Sequence, residues 1–209
     1  MAELEVLVGH DDDLAGEVAR IANRIRGLLT QIHPPLERLL GPKVQHPAFL
    51  ELLSRCGGPA GLPKGGRTKL AELVKRRAPR MGARLVEQIF PALAARTVVV
   101  PGTAETETIQ PRLADSLSEM LRQRDQVAAQ VEGMLDAHPL SQILTSMPGI
   151  GVRTPARILL EVGDGSSFPT SGHLAAYSGL APVTRRSATR TRRGQETQRG
   201  PHLPRPPTG

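Results

Sequence analysis

The sequence predicts a mainly α fold: long coiled-coil-like helices, a helical insert between them, and a carboxy-terminal helix-hairpin-helix-like segment. Three observations carry this. Two long stretches place apolar residues at alternating three- and four-residue steps. Between them, glycine and proline divide the chain into short apolar-periodic runs. The run LTSMPGIGVRTPARILLEV, Leu144 to Val162, then sets Gly149 and Gly151 around Ile150 just ahead of an amphipathic helix.

The first long helix is predicted from Leu4 to Ile32, where Leu4, Leu7, Leu14, Val18, Ile21, Ile25, Leu28 and Ile32 form a seam. Asp11 occupies a slot in which that pattern wants a hydrophobe. Pro34 and Pro35 are expected to stop the helix. Arg20, Arg24 and Arg26 can face solvent, a phosphate backbone or acidic groups on a partner.

Residues 36–100 read as a compact helical insert, with helices expected at His46 to Ser54, Lys69 to Arg76 and Gly82 to Arg96. The breaks fall at Gly57-Gly58-Pro59, Gly65-Gly66 and Pro79. Val98 to Gly102 is an extended connector. The second long helix, Ile109 to Leu135, carries Leu113, Leu117, Met120, Val127, Val131 and Met134, with Arg124 in the odd slot. Two such helices can pair antiparallel within one chain or associate between chains, and the charge in each seam favours a specific association over a static rod. The partner of either charge is not legible from spacing.

His138-Pro139 closes the second helix, and the Gly-Ile-Gly turn follows. Gly149, Ile150 and Gly151 let the backbone bend sharply and present N–H groups at a helix N-terminus, where a phosphate can be held without reading base sequence. Arg153 and Thr154 open that helix, with Thr154 or a residue just before it as a cap and Pro155 in the first turn. An ordinary helical hairpin would use the same glycines. A short helix from Ser171 to Tyr177 comes next, with Ser171 as its expected cap and His173 and Tyr177 on one face.

Of 209 residues, 27 are Lys or Arg and 20 are Asp or Glu, a formal charge of +7 that favours a polyanionic partner. The distribution is more telling than the sum. Residues 64–84 hold eight basic side chains against Glu72, and residues 185–199 hold six arginines against Glu196. The basic run at 64–84 can touch nucleic acid or simply solubilise the insert. A single cysteine, Cys56, excludes an internal disulfide and a cysteine-cluster zinc site and points to a reducing compartment. With no long apolar run and an acidic amino terminus, a cytoplasmic protein without membrane contact is expected. Aromatic residues are too few for base stacking to be the main binding mode.

Arg185 and Arg186 immediately precede Ser187, and Arg190, Arg192 and Arg193 follow it. Guanidinium groups can clamp a phosphate, so Ser187 is either a nucleophile toward phosphorus or a surface residue in a basic stretch. Asp11, Asp12 and Asp13 fan around a helix axis and cannot converge on one ion, so no metal site is expected in this chain.

The run LTSMPGIGVRTPARILLEVGDGSSFPTSGHLAAYSGLAPVTRRS closely resembles the second conserved block of the IS-one-ten insertion-sequence transposases, or bridge recombinases. It carries Pro-Gly-Ile-Gly, Gly-Asp followed by Phe, Leu-Ala-Ala-Tyr, Gly-Leu-Ala-Pro and a following serine, in that order. The amino-terminal helical part is similar to the region that joins the two conserved blocks. The resemblance implies that Ser187 is the serine that attacks a DNA phosphodiester. The bend geometry and the charge, rather than the resemblance, make Gly149, Ile150, Gly151, Arg153, Thr154, Arg185, Arg186, Arg190, Arg192 and Arg193 the residues expected to contact nucleic acid.

The resemblance further implies RNA-guided cleavage and rejoining of DNA, with partners that are DNA, a structured guide RNA, and either further copies of this chain or full-length transposase. The complete family enzyme is expected to use Mg2+ through an amino-terminal RuvC-like domain, which this chain is expected to lack. Ala188 stands where the family usually has glycine, and the sequence beyond departs from the pattern, so a truncated transposase is expected. DNA binding is the activity expected to survive, and a non-catalytic DNA- or RNA-binding module is the alternative. The expected domains are a helical region at 1–137, with its insert at about 36–100, a partial transposase domain at 138–193, and a disordered, divergent tail at 194–209.

Overall fold

A computed structural model describes residues 1–80, 82–95 and 98–180, and among them every regular element is helical, with no strand. The fold is mainly α, with long helices packed against others. By its contacts the chain divides into two units, Met1–His138 and Pro139–Gly209.

In the first unit, α1 (Ala2–Ile32) and α7 (Thr103–Asp136) lie side by side. Their two odd-slot charges meet: Arg124 Nε and Nη2 donate to the two carboxylate oxygens of Asp11 at 3.0 and 3.1 Å. That contact answers the question left by the spacing and pairs the helices within one chain. It sets the amino-terminal part of α1 beside the carboxy-terminal part of α7, so the two run antiparallel.

The expected α1 seam is displaced over its second half. Ala22 and Leu29 are buried where Ile21 and Leu28 were expected, and the latter two are half-buried. A straight helix drifts against a strict seven-residue repeat, and α1 also packs on α2 (Pro34–Leu40), so its apolar stripe is broader than a two-helix seam. At the start of α7, Thr103, Thr106 and Gln110 are buried although polar, which is why the periodic pattern gave too short a helix.

Pro34 and Pro35 end α1 as expected, but they also open α2. Both fill first-turn positions, where a missing N–H is tolerated, and His33 Nδ1 accepts the Leu36 N–H at 3.2 Å to cap the new helix. A 3-10 turn, Gly41–Lys43, leads into α3 (Pro47–Cys56), capped by His46, whose Nδ1 accepts the Ala48 N–H at 3.1 Å. Ala48, Phe49, Leu50, Leu52 and Leu53 cover most of the circumference of α3. A helix apolar on so many sides must sit inside, and α3 is packed between α5 and α7.

The turn after α3 lies against α7 so closely that a Cβ on Gly58 would stand 2.7 Å from Gln110 Oε1, and the Ala60 N–H donates to Glu107 Oε1 at 2.8 Å. After the single turn α4 (Gly61–Lys64), α5 (Gly66–Arg77) buries Leu70 and Val74, and α6 (Gly82–Ala94) buries Leu85, Val86 and Ile89. These two helices pack on each other and close the core around Phe49 and its neighbours. All eight basic side chains of residues 64–84 are exposed.

In the second unit, α8 (Ser141–Thr145) is a single short turn of helix, α9 (Arg153–Val162) buries Pro155, Ala156 and Leu159, and α10 (Ser171–Tyr177) buries none of its residues.

Candidate nucleic-acid interface

The Gly-Ile-Gly segment joins α8 to α9. Gly149 has φ +79°, a region that costs other L-residues steric strain, and a Cβ there would meet nothing within 4 Å, so the demand is conformational. Gly151 is not among the positive-φ glycines. The Ile150 N–H donates to the Met147 carbonyl at 3.2 Å, and the Thr154 N–H to the Gly151 carbonyl at 3.1 Å. Those two amides therefore serve the turn itself.

Of Thr154 and the residues just before it, the cap position falls on one of the latter. The cap residue of α9 is Val152, and no side chain caps the helix. The positive end of the α9 dipole is thus framed by Gly151, Val152 and Arg153 main chain. Arg153 is half-buried, and Arg157, one turn on, is exposed. Gly149, Ile150, Gly151, Arg153 and Thr154 are brought together in this one bend. Ser187, Arg185, Arg186, Arg190, Arg192 and Arg193 lie outside the described residues, as does the expected tail at 194–209.

The loop after α9 is organised by short-range bonds. Asp164 Oδ1 accepts the Ser166 N–H at 2.9 Å, and hydrogen bonds from Ser166 hold the carboxyl below its ordinary pKa. Thr170, not Ser171, caps α10, since its hydroxyl oxygen accepts the His173 N–H at 3.4 Å and lies 2.8 Å from His173 Nδ1. His173 is thereby turned to the cap, while Tyr177 packs on Phe168 with ring centroids 5.2 Å apart. The two do not act as a pair.

Electrically, this part is balanced. Residues 139–180 contain Arg153 and Arg157 against Glu161 and Asp164, whereas residues 181–209 contain seven arginines against Glu196. The folded bend thus supplies main-chain geometry, and the cationic surplus belongs to the residues that follow.

Among the described residues no three His, Cys, Asp or Glu side chains could hold one metal ion. Asp11, the first of the three consecutive aspartates, is committed to Arg124. The half-buried Cys56 thiol is pushed up by burial, which makes it a poor nucleophile. Among the described residues no helix is long and apolar enough to cross a membrane.

Residues 141–205 match the family model described as Transposase IS116/IS110/IS902 family, a span that takes in α8, the Gly-Ile-Gly bend, α9, α10 and Ser187. The chain is 55% identical over 204 residues to the insertion element IS110 uncharacterized 43.6 kDa protein of Streptomyces coelicolor, covering 98% of this chain and 49% of that protein. This chain is homologous to the IS110/IS116-family transposases. A second relative, the insertion element IS116 uncharacterized 44.8 kDa protein of Streptomyces clavuligerus, is 31% identical over 94% of this chain and 49% of its own length.

The mini-circle putative transposase for IS117 of Streptomyces coelicolor is 28% identical over 88% of this chain and 46% of its own length. The chain therefore spans about half the length of the curated IS110/IS116-type relatives it matches. No solved structure matches it. The described residues contain no strand, and so nothing of a RuvC-like domain.

Proposed function

We propose that this chain works in DNA transposition as the helical and carboxy-terminal portion of an IS110/IS116-type recombinase. The observation that supports this most directly is the family match over 141–205, which includes the ordered motifs from Pro148-Gly149-Ile150-Gly151 to Ser187. In this reading α8, the bend and α9 form a helix-hairpin-helix-like grip on a phosphate backbone. Gly149 and Gly151 supply its main chain, Ile150 and Thr154 brace the bend through their own amides, and Arg153 supplies charge. The α1–α7 pair is the coiled-coil-like arm through which protomers associate.

Ser187 Oγ attacks the phosphorus of a DNA phosphodiester. The bond from phosphorus to one bridging oxygen breaks, that oxygen leaves with a proton as a free hydroxyl, and the phosphate stays esterified to Ser187 until attack by a strand hydroxyl reverses the step. Arg185 and Arg186 hold the nonbridging oxygens, and Arg190, Arg192 and Arg193 follow the backbone onward. A structured RNA guides the choice of strand, and Mg2+ belongs to the complete enzyme.

A second reading is favoured by Ala188, which replaces the glycine usual after the serine. There the chain binds DNA or RNA without cutting it. The test is to incubate the protein with labelled element-end DNA, the matching RNA and Mg2+, and to look for a denaturation-resistant protein–DNA adduct. Transposition chemistry predicts an adduct that vanishes in Ser187→Ala. Binding without an adduct, equal in the two proteins, selects the second reading, and absence of binding rejects both.

A further inference from the structure

Two clefts in the first unit meet at Lys43. One, of about 390 Å³, is lined by Asn23, Arg26, Lys43, Gln45 and His46 among its polar residues. The other, of about 320 Å³, is lined by Lys43, Arg84 and Gln88 together with Leu39, Phe49 and Leu85. Among the described residues no Asp or Glu lines either cleft. Beside the first cleft, Glu37 accepts Arg26 Nε at 3.0 Å, and its side chain is 15% exposed.

Arg84 is exposed because Leu85, Val86 and Ile89 claim the inward side of α6. The turn before it exposes Arg80, and the end of α5 exposes Lys75 and Arg76. Glu72 and Glu87 are the acids of these two helices.

We propose that this face is a second nucleic-acid-binding surface, on which Lys43, Arg80 and Arg84 hold the phosphodiester backbone of a double helix. It is separate in residues from the Gly-Ile-Gly bend and from residues 185–193. Net attraction does not explain it, because residues 1–138 carry 18 Lys and Arg against 17 Asp and Glu. The positive charge is gathered there while Glu3, Glu5, Asp11, Asp12 and Asp13 gather at the start of α1. A duplex is the fitting partner because unpaired bases need aromatic platforms. Phe49 is fully buried and Phe90 lies beneath the Arg67 guanidinium at 4.7 Å, whereas duplex phosphates need only cations and polar donors.

The experiment measures affinity of the full chain for short duplex DNA, duplex RNA and single-stranded DNA of arbitrary sequence across a salt series. Lys43→Gln/Arg80→Gln/Arg84→Gln is compared with Arg20→Gln/Arg112→Gln/Arg122→Gln, which removes the same charge from exposed sites on α1 and α7. Each lost contact to duplex phosphate flattens the log–log salt dependence by about 0.9, so the first triple should flatten it by about 2–3 and the second should leave it near the parent. Lys43→Arg in the first triple, in place of Lys43→Gln, should recover part of the slope.

The duplex DNA and duplex RNA arms identify which backbone is held. Equal slopes for the two triples, or a loss confined to single strands, overturns the proposal. The Ser187 adduct assay is independent of either result. Unchanged thermal melting of both triples shows that folding is not what moved.

Discussion

Replacing Arg124 with leucine is the sharpest test of the two-helix core. Asp11 is 4% exposed, and both its carboxylate oxygens are held by one guanidinium at 3.0 and 3.1 Å. Removing one partner of a buried ion pair strands the other, at a cost of about 3–5 kcal/mol. The Arg124 side chain retains 22% exposure, so water reaches the site and the lower end, about 3 kcal/mol, is the expected loss. For a unit of this length that lowers the melting temperature by about 10 °C.

Asp11→Leu should cost less, about 1.5–3 kcal/mol, because the stranded guanidinium can swing toward water while the carboxylate cannot. The double variant Asp11→Leu/Arg124→Leu inserts a hydrophobe into each seam where the spacing wants one, and should be neutral or more stable by about 1–4 kcal/mol. Urea unfolding followed by far-UV circular dichroism closes the double-mutant cycle. If the double variant is as unstable as the two singles added together, the residues do not act on each other and the pairing of α1 with α7 in this register is wrong.

Further outcomes follow from single contacts. Gly149→Ala should destabilise the second unit by about 1–2 kcal/mol through its positive φ, while Gly151→Ala, at an ordinary φ, should change urea stability little. Thr170→Ala should cost about 1 kcal/mol of α10 helix stability, seen as faster amide exchange at His173 and Leu174, whereas Ser171→Ala should not. Glu119 accepts hydrogen bonds from Arg122 and Gln123, which lower its pKa to about 2. Its stabilising contribution is therefore complete above the ordinary carboxylate range and lost as pH falls toward that value. NMR should see the carboxyl titrate well below the ordinary glutamate range and move up in Arg122→Gln. Phe49→Ala, at the fully buried centre of α3, should cost about 3–5 kcal/mol in urea unfolding.

Much of the fold could be read from spacing because the long helices bury one stripe and the insert is cut by residues that cannot continue a helix. Where the reading failed, a polar group was doing an apolar residue's job or a local bond outweighed propensity. Thr103, Thr106 and Gln110 hide the first turns of α7 from any hydrophobic pattern. Pro34 reads as a stop because nothing in the spacing reveals that His33 will cap a new helix behind it. Thr170 and Ser171 are equally good caps on paper, and only the backbone decides between them: Thr170 is extended, at φ −145° and ψ 159°, as a cap must be. Asp11 and Arg124 were each visible as anomalies, but a sequence separation of 113 residues carries no pairing information.

The site was legible to a different depth. Gly149 announces its left-handed backbone, yet the amides expected to face outward are partly consumed by the turn, through Ile150 and Thr154. The segment that carries the bend, residues 139–180, sets Arg153 and Arg157 against Glu161 and Asp164 and so has no net Lys/Arg–Asp/Glu charge of its own. In the proposed reading, attraction comes chiefly from the seven arginines of residues 181–209, whose phosphate contacts carry no base sequence, and it is separate from what the Lys43, Arg80 and Arg84 face contributes. This separation has a measurable signature. Neutralising Arg185, Arg186, Arg190, Arg192 and Arg193 together should weaken binding to every duplex sequence alike and flatten its salt dependence by up to about 4–5. The further flattening caused by the Lys43, Arg80 and Arg84 triple should survive in that background. If it disappears there, the two sets of cations act as one surface, and the division of labour between the units fails.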